Sequence, residues 1–164
     1  DVTYVREHGA RPYLYNLSLG QDGPGIVSFA TGAEGYIQWD LTDLRGDSFG
    51  VGFRFESTLL APDGTVWPTM RLESFAQGVV DHRYLATLQE LVHRGLDHRR
   101  RKVRERAANA QLVLDAVRDA VIGGSTRGFH DAVPWRDADL LALRRRIGDE
   151  AEALHRLIGS PEEP

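Results

Sequence analysis

Two apolar stripes in the second half of the chain constrain the fold more than any other feature. Val103, Ala107, Ala110, Leu114, Val117 and Val121 recur in alternating steps of four and three, a spacing that places them along one face of an α-helix. Leu140, Leu143, Ile147, Ala151, Leu154 and Ile158 form a second stripe of similar length. The first helix is expected over residues 97–121, stopped by Gly123-Gly124, and the second begins at Asp137, an N-cap residue type. Two stripes of matched length predict an antiparallel helical hairpin. The linker between them is long for such a hairpin, and Phe129, Val133 and Trp135 are expected to pin it to the core.

A third helix precedes this pair. Thr69 follows Pro68 as a candidate N-cap, and Leu72, Phe75, Val79, Leu85, Leu88 and Val92 keep helical spacing. Gly78 marks a kink or a close contact, and Gly95 is expected to end the helix.

Residues 1–67 differ in character, being rich in Gly, Pro and aromatics. Residues 12–19 read as a strand, Gly20 to Gly25 as a turn, and Ile26 to Ala30 as a short helix. The run Gly35-Tyr36-Ile37-Gln38-Trp39-Asp40-Leu41 is nearly continuous in large residues, as expected of a strand buried on both faces. Leu44 to Phe49 reads as loop, Val51 to Leu60 as extended, and Pro62-Asp63-Gly64 as a turn.

Composition narrows the function classes. The chain is 41% hydrophobic and 27% charged, which fits a globular domain, and no apolar run approaches the ~20 residues of a membrane-spanning helix. There is no cysteine, so disulfides and thiolate chemistry are excluded, although this does not fix the compartment. A net charge of −4 weighs against nucleic-acid binding by the chain as a whole. The chain starts at Asp1 and its only methionine is Met70; the N-terminus is therefore expected to be a cut or processed end of a larger protein.

The segment Pro68-Thr69-Met70-Arg71-Leu72-Glu73, continued by Gly78, Asp81, Tyr84 and Leu85, resembles the last barrel helix of glycoside hydrolase family 123 and its relatives. Upstream, Gly35-Tyr36-Ile37-Gln38-Trp39 resembles the final barrel strand, and Gly46-Asp47 and Pro62-Asp63-Gly64 fall in the expected order. Relatives usually carry Arg-Glu where this chain has Ala76-Gln77, and often an acid where Val80 stands. The resemblance implies an α/β fold: the last strands and helices of a (β/α)8 barrel followed by a helical hairpin. Residues 1–94 would be the barrel end, 95–160 the helical extension and 161–164 a tail, with the upstream barrel portion of the same protein as partner.

In such barrels the active site lies at the carboxyl ends of the strands, which singles out Tyr15, Asn16, Trp39 and Asp40 as carbohydrate contacts. Trp39 offers an indole face to the apolar face of a pyranose, or else packs as barrel core. Asp40 and Asn16 would bond sugar hydroxyls or settle the following loops. Arg71, Glu73 and Asp81 are expected as structural ion pairs seating the helix. The resembled family implies a hexosaminidase-like hydrolase with an adjacent Asp-Glu pair on an earlier strand. The only adjacent Asp-Glu here, Asp149-Glu150, falls mid-helix and reads as solvated surface charge, so the chain by itself is expected to lack the catalytic acid pair.

No cofactor or metal motif emerges. His82, His93 and His98 fit no common zinc spacing, and Gly123-Gly124-Ser125-Thr126 lacks a phosphate-loop lysine. The alternative function is a helical interaction module that binds an acidic partner or nucleic acid through Arg99–Arg106, a run that includes the sole lysine, Lys102.

Overall fold

The computed structural model describes residues 2–15, 23–37, 58–60, 63–123 and 137–159. Three long helices dominate: α3 (Met70–Leu96), α4 (Arg101–Gly123) and α5 (Asp137–Gly159). Ahead of them come α1 (Val2–Glu7), β1 (Tyr13–Tyr15), a π-helical turn (Gly23–Val27) running into α2 (Ser28–Thr31), β2 (Gly35–Ile37), β3 (Thr58–Leu60) and β4 (Val66–Pro68).

Both predicted stripes lie in the core. Val103, Ala107, Ala110, Leu114, Val117 and Val121 of α4 are buried, and Leu140, Ile147 and Leu154 of α5 close over them. Leu85, Leu88 and Val92 of α3 complete the core. Helix α3 contacts α4 and α5 more extensively than those two contact each other, so α3 is the spine of a three-helix assembly, about 40 Å long at 1.5 Å per residue.

The barrel expectation is overturned. The chain is mostly helical, and its described strands form only a two-stranded parallel pair, β1–β2, and a two-stranded antiparallel hairpin, β3–β4. A barrel strand is buried on both faces, and these are not. Leu14 and Tyr36 pack against the helical core, whereas Tyr13, Tyr15 and Ile37 on the opposite face are 51%, 56% and 49% exposed. The continuous run of large residues at 35–41 suggested two buried faces, but the packing supplies only one. Asn16–Leu19, Gln38–Leu41, Leu44–Phe49 and the linker residues Phe129, Val133 and Trp135 lie outside the described residues.

Residues 23–30 were expected to be a turn and a short helix, yet every one of them is buried. Ser28 Oγ donates to the Gly23 carbonyl at 2.8 Å and closes the π-helical turn. The turn lies directly on α3: a Cβ on Gly25 would stand 2.8 Å from the Gly78 carbonyl oxygen and 3.2 Å from Gly78 Cα. Gly78 thus marks a backbone-to-backbone contact.

Helix ends depart from expectation in small, instructive ways. Thr69 is the N-cap of α3 with extended dihedrals, but its hydroxyl makes no capping hydrogen bond. Gly95 does not end α3, which continues to Leu96. Its missing side chain instead admits α4, since a Cβ there would lie 2.7 Å from Ala107 Cβ. Helix α4 begins at Arg101, four residues later than predicted. The hairpin β3–β4 turns at Gly64, with φ +83°, where Asp63 accepts from Thr65 N at 2.9 Å and Thr65 Oγ1 at 2.6 Å. Those bonds hold the Asp63 carboxyl below its ordinary pKa.

Candidate functional site

The parallel register pairs Tyr13 with Gly35, Leu14 with Tyr36 and Tyr15 with Ile37. The carboxyl ends of β1 and β2 therefore lie side by side at Tyr15 and Ile37. At the other end of the pair the Tyr13 ring lies over Gly35, 2.3 Å from where a Cβ would stand, so a side chain there would displace the ring. Of the predicted carbohydrate contacts, Tyr15 sits on the exposed face at this carboxyl edge. Asn16, Trp39 and Asp40 lie outside the described residues.

Of the residues expected in ion pairs, Asp81 forms one with α5. Asp81 is buried and accepts from Arg144 Nε of α5 at 2.5 Å, while Arg144 Nη1 donates to Gln77 at 3.1 Å. This joins α3 to α5. The bond to Asp81 raises the Arg144 pKa above its ordinary value, against the opposing effect of burial. Glu73 is exposed in the first turn of α3, where its charge favours the helix dipole, and Arg71 is half-buried beside it. Eight residues separate Glu73 from Asp81, about 12 Å along the helix.

Asp149 is exposed on α5, as expected of surface charge. Glu150 is not plain surface charge: its carboxylate lies 2.8 Å from Arg106 Nη2, bridging α4 and α5. The basic run at the start of α4 is similarly engaged. Arg100 donates to the Leu157 carbonyl in the last turn of α5, where helix carbonyls lack intrahelical partners. Arg104 Nη1 donates to the His98 and Arg99 carbonyls at 2.8 and 2.7 Å, and Arg101 pairs with Glu105 at 2.8 Å. Lys102 and Arg101 remain exposed.

A cleft of about 520 Å³ opens between the α1–α2 segment and the α3–α4 pair. From α3 it receives His82, Ala86, Gln89, Glu90 and His93, residues that share one helical face. His82 is half-buried with its ring edge-on to Phe29 at 6.2 Å, and burial holds its pKa below the ordinary value. The common helical face was legible in the sequence. The partners brought to it from α1 and α4 were not, because they depend on tertiary packing.

Among the described residues no group of three or more His, Asp or Glu is placed to hold a metal, and no helix is long and apolar enough to cross a membrane. No protein-family model, curated protein or solved structure matches the chain.

Proposed function

We propose that this chain is the sugar-contacting portion of a glycoside-hydrolase-like protein, with its carbohydrate site beyond the carboxyl ends of β1 and β2. The observation that supports it most is the register that sets Tyr15 opposite Ile37. Ligands of parallel sheets bind outside the carboxyl ends of the strands. Asn16 follows β1 immediately, and Trp39 and Asp40 follow β2 by two and three residues. Tyr15 offers an exposed aromatic ring at the same edge. The ordered motifs from Gly35 to Leu85 add to the reading. In it, Trp39 packs on a pyranose face while Asp40 and Asn16 bond its hydroxyls. In this reading the site contributes sugar contacts and no catalytic acid pair; the one adjacent Asp-Glu in the sequence, Asp149-Glu150, lies on α5, with Glu150 2.8 Å from Arg106.

The test is the affinity of the full-length protein for N-acetylhexosamine oligosaccharides, by calorimetry, with Trp39→Ala and Tyr15→Ala. Loss of one stacked aromatic is expected to weaken binding about tenfold. Unchanged affinity in both variants removes the proposed site.

The second reading is an interaction module that uses the exposed start of α4. Its exposed cations there include Lys102 and Arg101, the latter paired with Glu105 on its own helix at 2.8 Å, while Arg100, Arg104 and Arg106 reach partners elsewhere in the chain. Binding to a DNA duplex across a salt titration decides it, since phosphate contacts give a steep salt dependence.

A further inference from the structure

Arg6 of α1 and Arg118 of α4 both line the cleft beside α3, at the amino end of β2 where Ala33 and Glu34 lead into the strand. The proposed sugar site is at the opposite end of that strand. Each guanidinium is held in place by the protein. Arg118 lies over the Phe29 ring at 5.1 Å and donates to Asp115 Oδ1 at 3.2 Å and Gln89 Oε1 at 3.1 Å. Gln111 fixes the same Asp115 oxygen through a 2.7 Å bond. Arg6 donates to the carbonyl of Gly32, a residue with φ +69° that closes α2. A guanidinium carries five N–H donors in a planar fork, and these anchors orient the fork without exhausting it.

Asp115 pairs with Arg118 at 3.2 Å and so offsets part of its charge. Glu34 is engaged by Arg11 at 2.6 Å, and Glu90 also lines the cleft. His82 and His93 add ring nitrogens from α3. Phe29, Ala86, Val92 and Leu96 add apolar surface beside Ser28, Gln89 and Gln111. The volume falls within the ~300–1,000 Å³ of small-molecule sites. A guanidinium fork matches the geometry of a carboxylate or phosphate, and the apolar side chains suit a small organic body.

We propose that this cleft binds a small organic oxyanion, a carboxylate or phosphate ester, gripped between Arg6 and Arg118 with His82 beside it. The test uses the full chain, with citrate and inorganic phosphate as probes, glucose as a neutral control and ionic strength held constant. The readout is the His82 ring signal in NMR. A saturable shift with either probe, and none with glucose, is expected. Arg118→Gln and Arg6→Gln should each weaken it about tenfold, the loss of one charge-assisted bond. Arg6 lies on an exposed helix away from the helical core, so its substitution leaves the fold intact even if Arg118→Gln loosens the Phe29 contact. Absence of saturation with both probes overturns the proposal, as does saturation that neither substitution alters.

Discussion

At the scale of single residues, Asp81 and His82 are neighbours in sequence with opposite tasks. Asp81 points into the α3–α5 junction and holds Arg144. Asp81→Ala should lower stability by about 1–3 kcal/mol, the cost of stranding a charged donor that can still turn toward water. Urea unfolding of the variant measures it, and Arg144→Ala should cost less in the Asp81→Ala background than in the parent chain, since only its bond to Gln77 remains to be lost. His82 faces the cleft, and burial favours its neutral form. Its folded pKa is thus below the unfolded value near 6.5, so no penalty exists above that pH. As pH falls below it, the unfolded chain takes the proton first, and stability declines until the folded pKa is passed. His82→Gln should flatten this part of the stability–pH profile, below about pH 6.5.

At the scale of elements, glycines set how closely the helices and turns approach. Gly25 and Gly78 let the π-helical turn touch the α3 backbone, and neither side of that contact is a movable side chain. Gly25→Ala is expected to cost about 1–3 kcal/mol through overpacking, seen as a lower midpoint in thermal unfolding. Gly64→Ala makes the contrasting case: nothing lies near its Cβ position, and its cost comes from φ +83° alone. The arginines of α4 act at this scale too. A run that reads as a basic patch is distributed among the turn before α4, the end of α5 and the Glu150 bridge.

At the scale of the whole molecule, α3 carries the structure, with α4, α5 and the buried 23–30 segment packed around it. Because α5 supplies Leu140, Ile147 and Leu154 to one shared core, deleting residues 137–164 should unfold α3 and α4 rather than leave a trimmed domain. Hydrogen exchange checks this: in the intact chain the buried amides of all three helices should exchange with a common protection, and in the deletion variant that protection should collapse.

The helical stripes, the placement of α3 and the turn at Asp63-Gly64 were legible in the sequence alone, because helical periodicity and turn chemistry are local properties of neighbouring residues. What tertiary structure decided was everything that depends on a distant partner. Large residues at 35–37 form a strand of either class in sequence; only packing leaves Tyr13, Tyr15 and Ile37 exposed and so rules out the barrel. Gly95 reads as a helix stop until Ala107 is seen against it. Glu150 reads as surface charge until Arg106 meets it from another helix. The cleft belongs to the same class: α3 sets its polar face by spacing, but Arg6 and Arg118 reach it from elements far apart in the chain, and spacing carries no record of such an approach.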